Sequence, residues 1–137
     1  MIPLSTIILS LAFALPSIGV SNAVENGTGI VFQFAPGLGA CGWTNSSDQA
    51  VGSVSNTTFA SYSNTTNPNT NPICGCILTI QANGVSVPVA IVDDFPDQGP
   101  NSTFGPNDVG TTVPEFAKMD PNVDDGIIRN ATWFITC

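Results

Sequence analysis

From Val85 onward the apolar side chains fall at every second position, Val85, Val87, Val89 and Ile91, and Asp93 takes the next place in that row. A period of two is that of a strand with one buried face, and Asn83-Gly84 just before it is a strong hairpin signal. Two arms are therefore predicted, one running from Ile73 to Ile80 and one from Val85 to Asp94. The same count puts Asp93 on the buried side and Asp94 on the solvent side. A carboxylate that ends a core-facing row either accepts hydrogen bonds within the fold or lies in a cleft, because burying it without partners is costly.

Elsewhere the pattern is weaker. Asn26-Gly27-Thr28-Gly29 is read as a turn and Ile30–Phe34 as a short apolar strand, followed by the glycine-rich loop Ala35–Trp43. A weak strand is expected at Ala50–Ser55, a helical turn at Thr57–Tyr62, and irregular surface loops at Asn64–Pro72 and Phe95–Asn107. Val113–Met119 is predicted as a short helix because Pro114 suits a first helical turn. In the final strand Trp133, Ile135 and Cys137 share one face, while Asn130, Thr132 and Thr136 share the other. No internal repeat or domain boundary is evident, and the chain is mainly β.

The first 23 residues do not fit this fold. Leu4–Leu15 is an uncharged apolar run, Pro16 follows it, and Ser21-Asn22-Ala23 offers the small residues a signal peptidase reads, so a signal peptide over 1–23 is expected. The domain would then be Val24–Cys137, and the protein secreted, with no membrane association after cleavage. Ten acidic and two basic residues give a net charge of −8, all of it after Ala23, which opposes binding to nucleic acid or anionic lipid. Six Asn-x-Ser/Thr sequons, at Asn26, Asn45, Asn56, Asn64, Asn101 and Asn130, fit a eukaryotic extracellular glycoprotein.

Four cysteines, Cys41, Cys74, Cys76 and Cys137, imply two bridges in a short secreted chain. Cys74 and Cys76 lie two apart on an extended segment, where their Cβ atoms do not meet, so each must pair elsewhere. Without histidine, Ser/His/Asp triads, Cys/His pairs and the common zinc sites are excluded. Carboxylates remain as acid/base groups, and no cofactor or metal is expected. Asp120–Gly126 superficially resembles a calcium loop, but Asp125 stands where the turn glycine belongs and Ala131 where the closing glutamate belongs, so a solvated turn is expected.

Gly39-Ala40-Cys41-Gly42-Trp43-Thr44-Asn45, Cys74-Gly75-Cys76 leading into a strand, Val92-Asp93 closing the next, and the final Trp133–Cys137 resemble the double-psi β-barrels of the barwin, expansin and rare-lipoprotein-A-like group. The likeness is strongest to small single-domain fungal members such as the loosenins. It implies a six-stranded barrel with one or two short helices and bridges Cys41–Cys74 and Cys76–Cys137. It also implies a groove carrying Asp93 and Asp108, with Asp108 in the place of the general acid of related endoglucanases. Those hydrolases set a second carboxylate on the first strand, where this chain has Gln33. Inverting hydrolysis needs such a partner at ~6.5–9.5 Å. The expansin-type histidine and phenylalanine before the second aspartate are replaced here by Pro106 and Asn107.

Asp93, Asp108, Trp43 and Phe32 are thus the candidate ligand-binding residues. Trp43, in a glycine loop rather than on an alternating face, is expected to be partly exposed and able to stack on a sugar ring. The resulting expectation is a secreted, monomeric, non-catalytic binder of cell-wall polysaccharide. Two alternatives are a protein-binding module, either a protease inhibitor or a secreted effector, and a weak glycoside hydrolase with Asp108 as its catalytic acid.

Overall fold

Six strands close into a barrel in the computed structural model, which describes residues 23–137. They are β1 (Asn26–Gln33), β2 (Val51–Ser55), β3 (Ile77–Ala82), β4 (Val85–Phe95), β5 (Val109–Thr111) and β6 (Ile127–Thr136), with helices α1 (Asn56–Ser61) and α2 (Val113–Met119). Around the barrel the order is β1-β5-β2-β4-β3-β6. Two pairs, β1/β5 and β2/β4, are parallel, and the remaining neighbours are antiparallel. The expected signal peptide lies, apart from Ala23, outside the described residues. No helix among the described residues is long and apolar enough to cross a membrane.

The β3/β4 hairpin forms as expected, with both Asn83 (φ 50°) and Gly84 (φ 76°) left-handed, as a two-residue turn between twisted strands requires. Val87, Val89 and Ile91 point into the core together with Leu78 and Ile80 of β3 and Trp133 and Ile135 of β6. Each such side chain contributes about 1.5–3 kcal/mol. Val85, beside the turn, is exposed instead. Phe116 and Met119 of α2 are buried in the same core, and α2 packs against β1 and β4. Pro114 occupies the first turn of α2 and Glu115 pairs with Lys118 at 2.8 Å, so the helix keeps its expected bounds. Helix α1 starts at Asn56, one residue before the expected turn, because Ser55 Oγ caps it by accepting the amide of Thr58 at 3.1 Å.

Three local expectations give way to long-range packing. Asn26–Gly29 is not a turn but the first half of β1, paired with β6. Gly27 is there for close approach, since a Cβ would come within 2.5 Å of the Trp133 indole, and at Gly29 a Cβ would collide with the Asn107 carbonyl. Strand β5, where no strand was expected, is three fully buried residues clamped between β1 and β2. In β4 the pairing with β2 shifts between Gly52/Ile91 and Ser53/Asp93, which leaves Val92 as an extra, buried residue. This bulge breaks the alternation that put Asp93 in the core row and Asp94 in solvent, so both aspartates are half-buried.

The two bridges are Cys41–Cys74 and Cys76–Cys137, as the family resemblance implied. With sequence separations of 33 and 61 residues they close long loops. Each is worth about 4 kcal/mol in the loop-entropy account.

Candidate functional site

Asp93 leaves β4 just after the bulge and turns its Oδ1 back onto the chain, accepting the amides of Ala40 at 2.8 Å and Asp94 at 2.9 Å. It thereby anchors the glycine-rich loop, whose Cys41 amide also donates to the Val92 carbonyl at 3.2 Å. Asp108 is bound in the same manner at another corner. Its Oδ1 accepts the amide of Ile30 in β1 and its Oδ2 that of Gly105, each at 2.7 Å. Trp133 Nε1 donates to the neighbouring Asn107 carbonyl at 2.8 Å, so the segment entering β5 is held from two sides.

These bonds bear on chemistry. A general acid must direct a proton at its substrate, and both Asp108 oxygens face backbone N–H donors. Gln33 donates its side-chain amide to the Val123 carbonyl and ties the end of β1 to the short turn Val123–Asp125. Within Asp120–Gly126 the side chains serve the loop itself: Asp120 accepts the Asn122 amide and Asp125 the Asn122 side chain.

Phe32 is nearly buried. Phe104 stacks on it with ring centroids 3.9 Å apart and an interplanar angle of 7°, and Phe95 meets it edge-on at 4.9 Å. Trp43 is 46 % exposed and rests against Gly75, beside the Cys41–Cys74 bridge. The candidates therefore fall in two corners: Trp43 shares one with Asp93, through the loop that the aspartate anchors, whereas Phe32 and Asp108 flank the Phe104-Gly105 segment at the other.

A concave surface lies beside the Asp93 corner. Asn56, at the start of α1, donates its side-chain amide to Asp94 Oδ2 at 2.8 Å, and this pair is shared by two adjoining clefts of about 310 and 320 Å³. One is completed by Pro96, Asp97 and Gln98. The other is lined further by Ala40, Phe59, Ala60 and Pro68 and by the polar Ser63, Thr65, Thr66 and Asn71. Asp97 is buried, and its Oδ2 accepts the Thr57 amide at 3.3 Å. The loop carrying Trp43 abuts this surface, because Ala40 lines the second cleft and Gly42 lies against Asn69, next to Pro68. Sequence reasoning missed the Asn56–Asp94 pair. Asn56 was visible only as a sequon and Asp94 only as an outward neighbour of Asp93.

Of the sequon asparagines, all but Asn45 are exposed. Asn45 is half-buried, with Nδ2 donating to Gln49 Oε1 at 3.2 Å and its own oxygen enclosed without a partner.

No protein-family model matches the chain, and no curated protein matches it by sequence. Solved structures do resemble it. A Streptomyces papain inhibitor superposes with a TM-score of 0.69 at 24 % identity, over 85 % of this chain and 98 % of that one. An expansin of Clavibacter michiganensis, solved as a mutant with cellohexaose bound, superposes with a TM-score of 0.56 at 16 % identity, over 82 % of this chain. The same expansin without ligand gives 0.56 at 13 % identity. This chain spans about half the length of the expansin. Together with the closed strand order, these likenesses show the fold to be a double-psi β-barrel.

Proposed function

We propose that this protein is a secreted, non-catalytic glycan-binding barrel that holds wall polysaccharide at the Asn56–Asp94 clefts, with Trp43 nearby as a stacking platform. One observation carries the reading: the cleft around the Asn56–Asp94 pair is lined by amides and two carboxylates, the adjoining one adds hydroxyls together with apolar lining from Ala40, Phe59, Ala60 and Pro68, and neither holds a cationic group. Sugar hydroxyls are recognised by such neutral donors and acceptors, and sugar ring faces by exposed aromatic rings. The expansin bound to cellohexaose supports the substrate class by shared fold. The engagement of Asp93 and Asp108 with backbone amides supports binding without hydrolysis.

Sedimentation with amorphous cellulose, chitin and β-glucan tests this reading, alongside an assay for soluble reducing ends. Retention on at least one polymer, weakened about fivefold or more by Asp94→Ala, is the expected result; one lost hydrogen-bonding group contributes on this scale. Retention on none of them defeats the proposal. Release of reducing ends abolished by Asp94→Asn or Asp108→Asn would make the protein a hydrolase.

A second reading, a protein-binding module, is favoured by a different feature. The loop at Gly37–Trp43 presents Leu38 to solvent at 77 % exposure, and the papain inhibitor shares the fold over nearly its whole length.

A further inference from the structure

We propose that the loop Pro36–Trp43 docks into the substrate cleft of an endopeptidase, with Leu38 filling an apolar specificity pocket; this rests on the protein-binding reading and names its contact and partner. Leu38 is the most exposed of the large apolar side chains among the described residues. It faces Thr44 across a one-pair bridge closed by Asn45 N–H to Gly37 O and Gly39 N–H to Trp43 O, both at 3.0 Å. In an antiparallel pair bonded through the flanking residues, the central residue's own N–H and C=O point away from the partner strand. Leu38 therefore leaves its side chain exposed and turns both backbone groups toward an open edge, as an extended peptide does when it adds to a strand edge.

The loop is also held ready. Ala40 N–H is fixed by Asp93, Cys41 N–H by the Val92 carbonyl, Gly42 N–H by the Gly39 carbonyl at 2.9 Å, and Cys41 by its bridge to Cys74. A segment already ordered in its bound shape loses little entropy on association. Gly39 fits closely under the Val92 carbonyl, whereas at Gly37 a Cβ would meet nothing within 4 Å and the backbone is not left-handed. Folding does not require glycine at 37. A bare residue there narrows the flank of Leu38 to backbone width, which suits entry into a narrow cleft. The segment Pro36–Trp43 contains no charged residue, so the complementary pocket is apolar rather than acidic.

The experiment is inhibition of papain and of chymotrypsin, whose specificity pocket is a hydrophobic slot, with trypsin, whose pocket is acidic, as the control. The full chain is incubated with each enzyme and a short chromogenic substrate. Inhibition of papain or chymotrypsin but not trypsin is expected, weakened roughly tenfold or more by Leu38→Asp and by Gly37→Val, as for loss of one buried anchor. Both sites are exposed, and unchanged melting curves are expected for both variants. Inhibition indifferent to Leu38→Asp overturns the loop assignment but leaves a protein-binding module standing. No association with papain or chymotrypsin overturns the endopeptidase assignment, and rapid cleavage after Leu38 makes the loop a substrate and overturns the docking role.

Discussion

Asp93 and Asp94 are neighbours in one strand, yet they belong to two differently built regions. Asp93, like Asp108 at another corner, spends its carboxylate on backbone amides that hold a loop or strand end in place. Asp94, with Asp97, lines a cleft where its partner is an exposed side-chain amide. The difference shows that a carboxylate's place in a family pattern does not tell what it does. The locked aspartates carry the family likeness, and Asp94 faces the space a ligand could occupy.

The contrast can be broken most forcefully at the locked corners. Replacing Cys41 and Cys74 together by alanine should cost about 4 kcal/mol, read from chemical denaturation, because a long loop regains its freedom in the unfolded chain. Asp108→Ala should cost roughly 2–4 kcal/mol, as it strands the amides of Ile30 and Gly105, and Asp93→Ala a comparable amount. A Cys41→Ala/Cys74→Ala/Asp93→Ala variant should lose less than the sum, since staple and carboxylate restrain one loop. Strict additivity would show that Asp93 does not anchor it.

Asp94→Ala should shift stability by no more than ~0.5 kcal/mol, as a change on an open surface does, while lowering polysaccharide retention. A large drop in melting temperature with unchanged retention would move Asp94 among the locked residues. Ser53 sharpens the comparison from the other side, because its hydroxyl is buried without a partner. Ser53→Ala should be neutral or stabilising by up to ~1 kcal/mol, and a clear loss would reveal a bond to that hydroxyl.

The smallest effect is at alkaline pH. Burial, with a lesser contribution from the Glu25 charge, raises the Tyr62 phenol above its ordinary value of 10.0. The unfolded chain then ionises first, so the stabilising contribution is whole below pH 10 and is lost as pH rises through the folded-state value. Absorbance titration of the folded protein should place the midpoint above 10, and Glu25→Gln should lower it slightly.

What the chain determined by itself is whatever depends on near neighbours. The turn at Asn83-Gly84 needs only two residues that tolerate positive φ, the bounds of α2 follow from Pro114 and its flanking residues, and the inward row Ala131, Trp133 and Ile135 of β6 is a plain alternation. Family likeness, which carries long-range information of its own, added the barrel and both bridges. Tertiary structure alone decided the rest. Strand β5 is too short to show a period, and it exists because β1 and β2 close over it. Gly27 and Gly29 look like turn residues until the Trp133 ring and the Asn107 carbonyl, more than 75 positions away in sequence, claim the space of their missing side chains. One extra residue at Val92 shifted the alternation just before Asp93 and Asp94, and a count of residues along a strand cannot see where its partner forces such a bulge. The Asn56–Asp94 pair joins a helix start to a strand end 38 residues apart, a proximity that the parallel pairing of β2 with β4 creates.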